Sequence, residues 1–160
     1  VAQNFGAKKY DRVRKSVIEC LKISLFFTVI LSIAMYLFAP SILDLFIKDS
    51  EIIDLGVKYL RMLVPTLIFY VGFEVISGSL RGVGDAIIPS LLSLFGICCI
   101  RVLWIRIIFD NNPTMENVVY CYPVTWIITT ILFIMYYLIF DPIKKKTETR
   151  KDITHENRFD

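Results

Sequence analysis

The sequence predicts an α-helical integral membrane protein with about four membrane-spanning helices and a charged tail. Hydrophobic residues make up 56% of its 160 residues, and the mean hydropathy is +0.61. A helix needs about 20 mostly apolar residues to cross the hydrocarbon core of a bilayer, and several runs here are that long. Most charged residues lie at the ends and connections. A large soluble helical bundle is the alternative, and this segregation of charge disfavours it.

Residues 1–22 are predicted to form a cytoplasmic loop and a helix that lies on the membrane surface. Apolar residues recur there at helical spacing, and basic residues stand between them. A basic amphipathic helix of this kind is typical of the membrane–water interface. The basic residues are Lys8, Lys9, Arg12, Arg14 and Lys15.

The next segment, residues 23–140, is predicted to cross the membrane four times. Each of its apolar runs is long enough to span a bilayer. Charged side chains interrupt only the second and third runs, where Glu74, Arg101 and Arg106 occur. The predicted spans cover residues 23–43, 62–80, 87–109 and 118–140.

The distribution of Lys and Arg predicts the orientation of the chain. Most basic residues near the span ends lie on the side that contains residues 1–22, Arg81 and the charged tail, residues 141–160. Loops rich in Lys and Arg remain in the cytoplasm. We therefore predict a multi-pass protein of the cell membrane with both chain ends in the cytoplasm.

Glu74 is the first candidate for a functional residue. A carboxyl group inside a span costs several kcal/mol unless it faces a polar cavity or a partner. Tyr70, Ser77, Gly78 and Arg81 are three or four residues apart and predict a polar stripe around it. Glu74 and Tyr70 are therefore candidates for binding a cation, a proton or a substrate. A protonated glutamic acid at a helix contact is the structural alternative.

Arg101 and the turn after the second span are candidates for a structural or gating role. Helix rise places Arg101 about 10 Å from Glu74 in height, which disfavours a direct ion pair between them. The turn contains Gly82, Gly84 and Asp85. It lacks the Gly-Lys-Ser/Thr sequence that completes a phosphate-binding loop, and a tight turn is the simpler interpretation.

The sequence does not predict an enzyme, a metal site or an organic cofactor. It contains no nucleophile elbow and no paired histidines on a helix. Its single histidine, His155, has no Cys or second His near it to complete a ligand set. No nucleic-acid partner is predicted.

Three motifs resemble the multidrug and toxic compound extrusion (MATE) family of transporters. The opening Gln3-Asn4-Phe5-Gly6-Ala7 resembles a cytoplasmic loop motif of the family. The segment Leu80-Arg81-Gly82-Val83-Gly84-Asp85 is similar to the turn between its tenth and eleventh helices. Arg101 and Trp104 resemble an Arg-x-x-Trp of the eleventh helix. The resemblance extends over about residues 1–140.

The resemblance implies that the four spans are helices nine to twelve of a twelve-helix transporter with two six-helix lobes. The chain would then be a C-terminal fragment, and its partners would be the N-terminal part of the same transporter, the lipid bilayer and small organic substrates. Family members export organic, often cationic, compounds in exchange for sodium ions or protons by alternating access. Glu74 would correspond to an acidic residue of the tenth helix, although it lies about one turn lower.

Two other functions remain open at this point. A flippase of lipid-linked precursors would share the fold plan. A small membrane assembly subunit with no transport activity of its own would share the four spans.

Overall fold

The computed structural model describes residues 1–140, and their regular structure is entirely helical. Four helical segments in this range are long and apolar enough to cross a membrane. The prediction of an all-α integral membrane protein is therefore confirmed. The predicted charged tail, residues 141–160, lies outside the described residues. The α-helices are α1 Ala2–Gly6, α2 Tyr10–Asp44, α3 Ser50–Leu63, α4 Leu67–Gly82, α5 Ile87–Ser93, α6 Ile100–Trp104 and α7 Met115–Phe140.

The first span is part of one continuous helix, α2, of 35 residues. The predicted surface helix and the predicted span are joined without a break, because no residue between them interrupts the backbone hydrogen bonds. Pro40 lies inside this helix, close to its C-terminal end.

The second span begins earlier than its apolar run predicts. Helix α3 starts at Ser50, where the side chain of Asp49 accepts a hydrogen bond from the backbone N–H of Glu51 at 2.9 Å. Such a cap satisfies one of the free N–H groups at a helix start. A short 3₁₀ segment, Val64–Thr66, then joins α3 to α4. Pro65 lies within it and cannot donate a backbone hydrogen bond, which is consistent with the interruption.

The third span is irregular on both sides of α6. Wider π-helical turns occupy Leu94–Cys99 before it and Ile105–Phe109 after it. Such segments are rare in proteins, and those that occur often lie at functional sites. In the first of them Gly96 packs against Thr129 of α7, because a Cβ atom at Gly96 would lie only 3.0 Å from the Cβ of Thr129. The missing side chain therefore allows a close helix contact.

Helix α4 lies between α2 and α7 and makes extensive contacts with both. Its interface with α7 contains the largest buried side chains, Phe73 and Leu80 of α4 and Phe133 of α7. The rings of Phe73 and Phe133 are stacked with centroids 5.9 Å apart. Most large apolar residues of α2 point outward, as is expected of a helix in contact with lipid.

Candidate functional site

The carboxylate of Glu74 lies on an outward face of α4 and forms an ion pair with Arg81. The distance between Arg81 Nη2 and Glu74 Oε1 is 3.1 Å. The side chain of Glu74 is 49% exposed and that of Arg81 is 46% exposed. Side chains on a helix tilt toward its N-terminus, so Arg81 can extend two turns back to Glu74. Both residues were predicted to lie in one stripe, but an ion pair between them was not predicted.

The polar stripe predicted on α4 is narrower in the structure. Tyr70, Glu74, Gly78 and Arg81 share an exposed face, which we call the α4 polar face. Ser77 is fully buried instead, and its hydroxyl has no hydrogen-bond partner within residues 1–140. Ser77 is therefore part of the helix packing.

Aromatic rings surround one end of the α4 polar face. The ring of Tyr70 packs edge-to-face against the rings of Phe73 and of Trp126 in α7. The distances between ring centroids are 5.2 Å and 5.5 Å, respectively. Trp126 is in turn 6.0 Å from the ring of Tyr122. Aromatic faces attract organic cations, so this arrangement can bind an apolar or cationic ring.

Arg101 does not contact Glu74. Its guanidinium lies over the ring of Tyr122, with 4.3 Å from Cζ to the ring centroid. Its Nη2 donates a hydrogen bond of 3.4 Å to the hydroxyl of Thr125. On the same helix, Trp104 Nε1 donates to the backbone oxygen of Asn117 at 2.8 Å. Both residues of the Arg-x-x-Trp motif therefore connect the third span to α7.

The opening motif is folded against the start of α2. Asn4 Nδ2 donates a hydrogen bond of 2.9 Å to the hydroxyl of Ser16. Phe5 is buried in a cluster with Val13 and Val17 of α2 and with Val83 of the turn after α4. The backbone N–H of Ala7, just after α1, donates to Gln3 O, whereas Gly6 is exposed.

The two loop motifs meet at this end of the bundle. Phe5 contacts the apolar cluster that includes Val83, and Gly82 lies against Val1. A Cβ atom at Gly82 would lie 3.1 Å from Val1 Cγ1, closer than most Cβ atoms approach a neighbour. Contact between motifs so far apart in the chain had no signal in the sequence.

The turn itself is fixed by its glycine and its carboxylate. Gly84 has a φ of +86°, a left-handed conformation that residues with a side chain seldom adopt. Asp85 is only 8% exposed, and Asp85 Oδ2 accepts a hydrogen bond of 2.8 Å from the hydroxyl of Tyr136. Tyr136 belongs to α7, so this hydrogen bond joins α7 to the turn.

Within residues 1–140, no group of three His, Cys, Asp or Glu residues is arranged to hold a metal ion. The cysteines of this range are free thiols. His155 lies outside the described residues.

Comparisons with known proteins agree with the motif resemblance. The model of the MatE family matches residues 1–105. The Bacillus subtilis (strain 168) protein named "Probable multidrug resistance protein YoeA" is 24% identical over 151 residues, which cover 93% of this chain. The same alignment covers 32% of that protein, so the chain spans about a third of the relative's length. No solved structure matches the chain significantly.

Proposed function

The chain belongs to the MatE family, and from this premise we propose that it is part of a multidrug efflux transporter of the cell membrane. The transporter exports organic, often cationic, compounds in exchange for sodium ions or protons. The relative named as a multidrug resistance protein supports this function. The whole transporter carries out transport and not catalysis, and the coupling ion is the only cofactor in this proposal.

The observation that carries the proposal is the ion pair on the α4 polar face. Glu74 lies in the interior of a membrane-spanning helix, which is costly for a structural carboxylate. It is half-exposed, and within residues 1–140 it forms an ion pair with Arg81 of its own helix. A carboxylate that is accessible and held by a single neighbouring cation can exchange that cation for another.

We infer an exchange mechanism from this geometry. Na⁺ or a proton that binds to Glu74 displaces the guanidinium of Arg81, since both compete for the same carboxylate. Binding of the ion leaves Arg81 unpaired, and release of the ion restores the ion pair. The two states differ in the charge on the α4 polar face. A substrate cation is bound more weakly in the state that has lost its negative charge.

The aromatic rings beside Glu74 give this face a place for the substrate. Tyr70 and Trp126 lie within one aromatic cluster, and Tyr70 is on the same helix as the carboxylate. A flat organic cation that contacts these rings gains cation–π and apolar contacts. Competition between substrate and coupling ion for one carboxylate then produces opposite transport of the two.

The remaining partners follow from the chain's place in a larger transporter. Alternating access requires two repeats that move around a central site. We propose that these spans belong to the C-terminal lobe, that the N-terminal part of the same transporter faces the α4 polar face, and that both chain ends are cytoplasmic.

A Glu74→Gln variant of the full-length protein tests this function. In a drug-sensitive strain without other efflux pumps, the wild type is expected to give resistance to organic cations, and Glu74→Gln is expected to abolish it. Glu116→Gln is the matched control, because Glu116 is also a half-exposed carboxylate in an ion pair, with Lys58, at the start of α7. Both variants should be present in the membrane at wild-type amounts.

Two results would overturn the proposal. Unchanged resistance in Glu74→Gln would make the carboxylate structural. Equal loss in both variants would show that removal of any exposed carboxylate has the same effect. Arg81→Gln adds a kinetic check, since it removes the competitor and is expected to slow release of the coupling ion without abolishing its binding.

A further inference from the structure

The guanidinium of Arg101 lies deep in the third span without a carboxylate partner. Arg101 is 14 residues from Ile87, so it lies about 21 Å from the start of this helical segment at 1.5 Å per residue. Among residues 1–140, no Asp or Glu forms an ion pair with it. Glu74, the one carboxylate within the predicted spans, is paired with Arg81.

The neighbours of Arg101 orient its side chain but do not neutralise its charge. The hydroxyl of Thr125 accepts one hydrogen bond from Nη2 and donates its own proton to the backbone oxygen of Tyr122 at 2.9 Å. The ring of Tyr122 covers one face of the guanidinium. The buried thiol of Cys121 accepts a further hydrogen bond from the same group.

One buried donor of Arg101 is unused in this arrangement. A guanidinium has five N–H donors, and Nε of Arg101 is buried without a hydrogen-bond partner within the described residues. Arg101 is half-buried, and a charge inside a membrane span is unfavourable unless it is paired. The contact with Tyr122 offsets only part of that cost.

We propose that Arg101, held by Tyr122 and Thr125, forms a binding site for a carboxylate group. A carboxylate matches the single positive charge, so the bound pair is neutral and is less costly inside a membrane than a phosphate with two negative charges. The planar fork of the guanidinium also fits the two oxygens of a carboxylate. Thr125 and Tyr122 fix the fork in advance, which lowers the entropy lost on binding.

The carboxylate can come from an organic acid in solution or from an acidic side chain on another helix of the same transporter. Both sources use the same chemistry at Arg101. The site shares the aromatic cluster beside Glu74 through Tyr122. Its test is a binding measurement without an ion gradient, so it stands or falls independently of the proposed export function.

Binding of radiolabelled benzoate to the purified full-length protein tests the site, with benzylamine as the probe of equal size and opposite charge. The wild type is expected to prefer benzoate, and Arg101→Gln is expected to weaken benzoate binding about tenfold or more, because a charge-assisted hydrogen-bonded pair is lost. Arg106→Gln is the matched control, since it removes an exposed arginine from the same span.

Arg101→Lys covers the case in which Arg101→Gln does not fold. It keeps the charge and removes the fork, so benzoate binding is expected to be weakened but not lost. If the wild type does not prefer benzoate, we expect that the carboxylate comes from an acidic side chain on another helix of the same transporter. Arg101→Gln then destabilises the protein, and neutralisation of one acidic residue on another helix restores its stability.

Either of these patterns supports the carboxylate site and identifies its source. The proposal is overturned if benzoate shows no preference over benzylamine and no neutralised acidic residue restores the stability of Arg101→Gln. It is also overturned if Arg106→Gln weakens benzoate binding as much as Arg101→Gln does.

Discussion

Removal of the Tyr136 hydroxyl is expected to weaken the packing of α7 against the turn after α4. This hydroxyl donates a hydrogen bond of 2.8 Å to Asp85 Oδ2, a normal length for an O–H donor. Asp85 is 8% exposed, so water cannot readily replace the lost donor. A hydrogen bond to a charged group contributes about 1.5–3 kcal/mol. Tyr136→Phe should therefore lower the free energy of unfolding by about that amount.

Unfolding in mixed micelles at increasing denaturing detergent, followed by tryptophan fluorescence, measures this loss. Tyr120→Phe is the control on the same helix. Tyr120 is 47% exposed, and its hydroxyl forms no hydrogen bond within residues 1–140. It should leave the free energy of unfolding within about 0.5 kcal/mol of the wild type.

A double-mutant cycle with Asp85→Asn separates the pair from other effects of each substitution. Residues in direct contact couple by about 0.5–3 kcal/mol, so the double variant should lose less stability than the sum of the two single variants. Strict additivity, or an equal loss in Tyr120→Phe, would refute the reasoning that this hydrogen bond joins α7 to the turn.

Two further predictions concern packing and orientation. Gly96→Ala should lower the free energy of unfolding by about 1–3 kcal/mol through overpacking against α7. Gly72→Ala is the control and should be nearly neutral, because its new Cβ atom would lie 3.8 Å from the nearest side chain. Similar losses for both variants in the same unfolding assay would disprove the close contact. In intact cells, single cysteines in a cysteine-free background should react with an impermeant reagent when they replace Glu51 or Asn112 but not Lys9. The reverse labelling pattern would show that the chain has the opposite orientation.

The membrane fold was predictable because its signal is local. Each apolar run is visible in the sequence, and the four segments that can span a membrane contain the four predicted runs. The start of α3 was not predicted because Ser50–Leu63 is amphipathic. The continuous apolar run that marks the predicted span begins only at residue 62, near the end of α3. The π-helical turns around α6 were not predicted, because no particular residue type in the sequence marks them.

The candidate site was only partly predictable, since its contacts depend on helix rotation and side-chain conformation. The spacing of three and four residues placed Tyr70, Glu74 and Arg81 on one face, and the structure agrees with that placement. The same spacing wrongly included Ser77, whose side chain is rotated far enough to be buried against the neighbouring helices. The Glu74–Arg81 pair spans two turns and depends on the length of an arginine side chain, which spacing rules for adjacent turns do not cover.

Contacts between distant parts of the chain gave no signal at all. The packing of Phe5 near Val83 and the hydrogen bond between Tyr136 and Asp85 each join segments that are far apart in sequence. Such contacts require the order and tilt of the helices, which a single sequence does not contain.

Ion-driven accumulation of ethidium in proteoliposomes tests the central claim most directly. The purified full-length protein is reconstituted, and a gradient of Na⁺ or of pH is imposed across the membrane. The account predicts that one of these gradients drives ethidium against its own concentration gradient in the wild type and in Glu116→Gln, but not in Glu74→Gln. Accumulation that needs neither gradient, or that persists unchanged in Glu74→Gln, would contradict it.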